Sequence, residues 1–416
     1  MTSQSAPWNP MNFDPNGVRE TYAKMFLTLW NVHKFHLDYA ILDNFDYSKD
    51  FIPVDKRNAL DRWILSRISS VAENYHDQYV SWEFHKAARE LENFVINDLS
   101  NWYVRRSRRR LWDEAESHDK RACQFTLHEV LLTVSKLMAP IAPFMPDKIH
   151  FDLTGTSVHT ADWPLGSDLV DKNLPPQDLG LEKEMSIVRM LAETGRKIRV
   201  EAKRRQRLPC KEGWIVGGPD LSEFHSIIAE ELNVENLTTE NNLDRFQKIE
   251  VLPNHKVLGA KCRADLPKVL SELSQLDPGS LLSDIEKGTA KLAGFEITSE
   301  DINIKRVEKE GYAASTFEVE ETGDISLVLD VEITDDLVSK GLAREITRRI
   351  QSKRKELDLD LEASISLKVW LELDSPKLNE DDWQYIISET RSKPSELIIG
   401  NPETVSYTHL TLPTKA

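Results

Sequence analysis

The chain has 416 residues and a formal net charge of −16 at pH 7, with apolar content ordinary for a water-exposed globular protein. That length holds two or three domains with full cores. No apolar run reaches the roughly 18 residues of a membrane span, and no signal-peptide pattern opens the chain. The three cysteines, Cys123, Cys210 and Cys262, lie far apart and form no Cys-x-x-Cys pair, so neither a disulfide framework nor a zinc site is expected. The cytoplasm is the expected compartment.

Net acidity would repel a polyanion at long range, but screening limits that repulsion to about 10 Å at moderate salt, so local charge decides. Two windows are strongly basic, 104–110 and 189–211. An acidic chain with concentrated basic islands suits a selective RNA binder better than a general DNA coat.

In chain order, residues 1–16 are broken by Pro7, Pro10 and Pro15 and read as irregular. Over 18–38 the apolar positions Tyr22, Met25, Phe26, Leu29, Trp30 and His33 recur at helical spacing. A second helix starts near Asn58 and points Leu60, Trp63, Ile64, Ile68 and Val71 inward. A third starts near Ser81, read as its N-cap, and carries Phe84, Ala87, Leu91, Phe94 and Leu99 into the first basic window. A fourth carries Leu127, Val130, Leu131, Val134 and Leu137 and stops at Pro140. Four amphipathic helices with modest connections describe an antiparallel bundle over 17–153. His33, His36, His85 and His128 read as packing residues rather than metal ligands, because no His-Glu-x-x-His pattern accompanies them. The prolines at 140, 143 and 146 predict a rigid turn before a short helix.

At the end of the third helix stands Asn101-Trp102-Tyr103-Val104-Arg105-Arg106-Ser107-Arg108-Arg109-Arg110-Leu111-Trp112. Helical neighbours are turned by about 100°, so Arg105, Arg106, Arg108, Arg109 and Arg110 cannot share one solvated face. Arginine forks match phosphate oxygens, and Trp102 and Tyr103 could stack on unpaired bases. The same residues also fit core packing for the two aromatics and pairing with Asp113, Glu114 and Glu116 for the arginines.

Residues 154–180, rich in proline and glycine, read as a linker, and 181–400 as an α+β region. Its first helix shows Leu181, Met185, Val188, Ala192, Ile198 and Ala202 on one face and the second basic island beyond. There Arg196, Lys197, Arg199, Lys203, Arg204, Arg205 and Arg207 either meet RNA or complement the helix dipole. Gly217-Gly218 lacks the context of a phosphate loop. A hairpin is expected at 321–324, followed by a strand alternating at Ile325, Leu327, Leu329, Val331 and Ile333. A helix opened by Thr334 follows, with Leu337, Leu342, Ile346 and Ile350 inward. Arg344, Arg348, Arg349, Lys353, Arg354 and Lys355 are expected outward, the first three as candidates to meet tRNA, and a further strand runs from Ile365 to Leu373. Residues 401–416 show no periodic pattern, and 405–416 read as a non-native tail.

The arginine stretch resembles the one that isoleucyl-tRNA synthetases carry in their helical anticodon-binding domain. Gly341-Leu342-Ala343-Arg344-Glu345-Ile346-Thr347-Arg348-Arg349-Ile350-Gln351 resembles their C-terminal region. Asp61-Arg62-Trp63-Ile64-Leu65-Ser66, the triple-proline segment and residues 5–13 are similar as well, the first less specifically. The resemblance implies a mainly α chain, an anticodon-binding bundle followed by a smaller α+β domain, in the zinc-free archaeal and eukaryotic-like branch. Residues 1–16 would then be a remnant of the connection from a missing catalytic domain. The His-x-Gly-His and KMSKS signatures of that domain are absent here. A full-length enzyme would use ATP with magnesium, act as a monomer and charge isoleucine tRNA, while this chain alone would be inactive and would bind no membrane or DNA. The alternatives are the corresponding part of a valyl- or leucyl-tRNA synthetase, or a helical scaffold for acidic protein partners.

Overall fold

The computed structural model describes residues 8–9, 14–49, 51–112, 117–164, 177–276, 278–288, 290–360, 363–371 and 376–399. The expectations for residues 1–7, 10–13, 165–176 and 401–416, for Asp113, Glu114 and Glu116, and for Leu373 lie outside them. The chain divides into two compact units, Met1–Ser186 and Ile187–Ala416.

The first unit is a helical bundle. Helix α1 (Pro15–Thr21) passes through a wide turn at Tyr22–Phe26 into α2 (Leu27–Leu42). Helix α3 (Ala59–Val80) is started by Asn58, whose side chain accepts from the Asp61 amide, and α4 (Phe84–Asn93) returns along it. Ser81 is not the expected N-cap. Its N–H still donates to the Asp77 carbonyl at 3.0 Å, so it closes α3 and leaves Glu83 at the head of α4. From Phe94 to Val104 the rod switches to i→i+5 bonding, then resumes as α5 (Arg105–Trp112). Helix α6 (His118–Met138), capped by Ser117, and α7 (Phe144–Thr154), entered through the proline turn, complete the bundle.

The i→i+5 stretch has a visible cause. Val95, Leu99, Tyr103, Ser107 and Leu111 are all buried, each four residues from the next. In an α-helix such a row drifts steadily around the axis, whereas a wider helix turns less per residue and drifts it back. Phe94, Asp98 and Trp102 form a second buried row beside the first. Each fully buried Leu or Ile in this core contributes about 1.5–3 kcal/mol, and the four histidines named above are buried among them.

Helix α8 (Leu179–Glu201) begins in the first unit and ends in the second. Its first turn is tied to α3: Ser66 and Ser70 both donate to Glu182 at 2.6 Å. The second unit then runs β1 (Cys210–Val216), α9 (His225–Leu232), β2 (Val234–Glu240), β3 (Gln247–Pro253), α10 (His255–Cys262), α11 (Leu266–Gln275) and α12 (Pro278–Glu286). It continues with β4 (Lys291–Leu292), β5 (Phe295–Glu296), β6 (Ile302–Glu308), β7 (Tyr312–Val319), β8 (Gly323–Asp330), α13 (Asp335–Glu356), β9 (Ile365–Leu371), α14 (Glu380–Thr390) and β10 (Ser392–Ile399). The main sheet has the order β2-β1-β8-β7, with β1 and β2 parallel and the expected β7–β8 hairpin antiparallel. Separate ladders join β3 to β6 and β9 to β10.

The alternation expected for β8 is overturned, because Ile325 through Leu329 are all buried. The strand is internal: Val328 packs with Trp214, Val216 and Phe246, while Leu327 lies beneath α8 at Gly195. A strand covered on both faces has no polar side to show. Val331 and Ile333 fall beyond the strand end.

Candidate nucleic-acid interface

The five arginines of the first window divide by what their backbone position allows. Arg105, Arg108 and Arg109 are exposed, and their spacing of three and four sets them on one face of α5. Arg106 lies over the Trp102 ring, 3.9 Å from its centroid. Arg110 turns inward and grips Asp61 with both terminal nitrogens at 2.8 and 2.7 Å. Its Nε donates to Asp119 at 2.6 Å, and Asn58 donates to the same carboxylate at 2.9 Å. Tyr103 donates its hydroxyl to Asp61 at 2.5 Å. Burial works against the Arg110 charge, but its neighbours, the Asp61 carboxylate among them, outweigh it and hold the guanidinium ionised above its ordinary range. The Tyr103 hydroxyl is held far up by burial and by Asp61, and burial pushes the Cys123 thiol up to about 11.

This geometry corrects three expectations. Trp102, 5% exposed with Nε1 directed at Met185 Sδ, and Tyr103, fully buried, are core residues and offer no face to a base. Arg110 holds two carboxylates and is not aimed at a phosphate. Asp61 does not stand out as its partner in the sequence, because it lies 49 residues from Arg110. Its signal is a carboxylate in the first turn of an otherwise apolar helix face.

The second island and the basic face of α13 come together although about 140 residues separate them. Arg207 pairs with Glu345, which also accepts from Arg348 and Arg349 at 3.0 Å each. Arg348, opposed by burial and helped by Arg349 and Arg207, holds the Glu345 carboxyl down at about 2. Arg196, Lys197, Lys203, Arg205 and Arg344 are exposed, with Arg196 3.5 Å from Glu231.

Two members of the island are structural. Arg199 is 1% exposed and, among the described residues, donates to carbonyls: Leu232 at 2.7 and 3.2 Å, Asn233 at 2.9 Å, Leu208 at 2.7 Å and Arg205 at 3.5 Å. Burial lowers its ionisation below the ordinary arginine range. Arg204 donates Nε to the Val331 carbonyl at 2.8 Å. Arg354, expected outward on α13, is likewise buried against the carbonyls of Thr390 and Asp360.

Residues 61–213 match the family described as the anticodon-binding domain of tRNA ligase. The chain is 33% identical to the isoleucine–tRNA ligase of Bacillus thuringiensis (strain Al Hakam), over 98% of this chain and 38% of that protein. It is 33% identical to that of Clostridium acetobutylicum, over 88% of the chain and 35% of the relative. With that of Cytophaga hutchinsonii it shares 32%, over 96% and 36%. These relatives are bacterial, whereas the resemblance pointed to the archaeal and eukaryotic-like branch. The chain therefore spans less than two fifths of the length of the curated relatives it matches. The chain is thus similar, through residues 61–213, to the anticodon-binding domain of tRNA ligases.

Proposed function

We propose that this chain is the tRNA-recognition portion of an isoleucine–tRNA ligase, with the bundle receiving the anticodon stem-loop of isoleucine tRNA. The observation that carries the reading is the exposed Arg105–Arg108–Arg109 face on an anticodon-binding domain. Three guanidinium groups on one helical face suit successive phosphates, which position the RNA, while a few base contacts specify it. With Trp102 and Tyr103 inside the core, base recognition falls to arginine forks and other surface groups. The full-length enzyme would act as a cytoplasmic monomer and would take ATP and magnesium in its catalytic part. This chain carries no residues of the His-x-Gly-His or KMSKS signatures, so it supplies recognition without amino-acid activation. Among the described residues no helix is long and apolar enough to cross a membrane.

The test is binding of the full chain to an isoleucine tRNA transcript across a salt series, beside an anticodon-substituted transcript. Log K is expected to fall with log salt by about 0.7–0.9 per phosphate contact. Anticodon substitution should cost about 1–3 kcal/mol per lost base contact. Equal affinity for both transcripts would overturn the anticodon reading. An ATP–pyrophosphate exchange signal from the purified chain would overturn its assignment as a recognition portion alone.

A further inference from the structure

The second unit contains a cleft of about 830 Å³ between residues 203–208 and α13. Its size lies within the range of small-ligand sites. The rim carries Lys203, Arg205, Arg207 and Arg349, all exposed. The carboxylate among the described lining residues, Glu345, is already shared by Arg207, Arg348 and Arg349. The floor is apolar: Leu208, Val338 and Leu342 are half-buried, and Ile333 stands 47% exposed.

The cleft is held in shape by residues outside it. Arg199 pins its near wall by donating to the Leu208 carbonyl. Gly341 lets that wall approach α13, since a Cβ there would stand 3.2 Å from Leu208 Cδ1 and 3.5 Å from Leu208 Cα. A groove braced on both sides, with an uncovered isoleucine and a cationic rim in a chain of net charge −16, is charged for an anionic occupant with an apolar face.

We propose that this cleft binds an unpaired nucleotide of an RNA chain, the base lying on the apolar floor and the flanking phosphates on the rim cations. This rests on the RNA-binding reading above and adds a site outside the bundle. A bare phosphate would make no use of Ile333, Val338 and Leu342. A nucleotide uses both halves of the site. None of the described lining residues is aromatic, so the base stacks on guanidinium planes and aliphatic carbons, and selectivity among bases should be weak.

The experiment uses the full chain and a short unstructured RNA carrying 4-thiouridine, beside the same backbone lacking bases. Photocrosslinks are expected in the peptides spanning 203–208 and 333–349. Ile333→Ser should weaken binding about tenfold while leaving the salt slope unchanged. Arg205→Gln and Arg349→Gln should each reduce the slope by about 0.7. All three side chains are exposed, so these variants keep the fold. Equal binding of the abasic backbone would overturn the proposal, as would crosslinks confined to other peptides or parental affinity in the three variants. Equal displacement of the RNA by an acidic peptide would reassign the cleft to a protein partner. If the tRNA transcript still binds with anticodon preference while the cleft variants change nothing, this proposal alone falls. If no RNA binds, both readings fall.

Discussion

Arg110 in α5 and Arg199 in α8 both point inward from a basic run, yet one meets two carboxylates beside a single carbonyl, that of Asp119, and the other meets carbonyls. The difference follows from what the neighbouring backbone has left to offer. Arg110 faces the first turn of α3, whose carbonyls are occupied by the helix's own bonds, so its counter-charge there is a side chain, Asp61. Arg199 reaches the C-terminal end of α9, where Leu232 and Asn233 present carbonyls that no helical amide can satisfy. Arg110 thus pairs with carboxylates in the first turns of α3 and α6, and Arg199 caps the C-terminal end of α9. Neither is available to RNA, and the residues left outside are the ones with a functional reading.

The largest effect that would sharpen this contrast comes from Asp61→Ala. It leaves Arg110 and Tyr103 facing an empty anion site, and about 3–5 kcal/mol of bundle stability should be lost in urea unfolding. Asp61→Asn, which still accepts hydrogen bonds, should cost less. Arg199→Ala strands several carbonyls at once and should cost about 3 kcal/mol, read by hydrogen exchange in peptides of the second unit. Arg199→Lys should recover little, because one ammonium cannot span the Leu208, Leu232 and Asn233 carbonyls. A Lys variant as stable as the parent would break the capping account.

Acid should separate the two units. His36 and His128 pack 5.9 Å apart in the bundle, and burial holds them down to about 3 and about 4. Their folded forms bind fewer protons than the unfolded chain. The stability they lend is therefore complete above about pH 6.5 and is lost as pH falls from there toward their folded values. Together they should cost the bundle about 2 kcal/mol between pH 7 and 5.5. The pair lies in the bundle, so exchange protection in peptides of the second unit should change less over the same interval. His36→Gln should flatten the slope, and an unchanged slope would discard the buried pair as its source.

The smallest stability effect belongs to the exposed face. Arg108→Gln and Arg109→Gln should shift stability by no more than about 0.5 kcal/mol. Each should nevertheless reduce the salt slope of tRNA binding by about 0.7–0.9. Loss of stability without a change in slope would make them structural like Arg110.

Much of the architecture could be read in the residues alone. The 3.6-residue stripes of α3 and α6, the Thr334 cap of α13 and the β7–β8 hairpin are local patterns, and local patterns are written in consecutive residues. That five crowded arginines cannot all face solvent likewise follows from the helical period and nothing more. Which ones turn inward was not legible, because it depends on Asp61 and Asp119 arriving from α3 and α6, and on the i→i+5 stretch resetting the phase of α5. The same holds for β8, whose alternation vanished once α8 covered one face and Trp214 and Phe246 the other. The cleft joins residues 203–208 to α13 only through tertiary packing at Gly341. Sequence determined the periodicity and the charge, since both are properties of neighbours along the chain. Tertiary structure decided which charges are spent, since a partner's distance in space is set by packing and not by its position in the sequence.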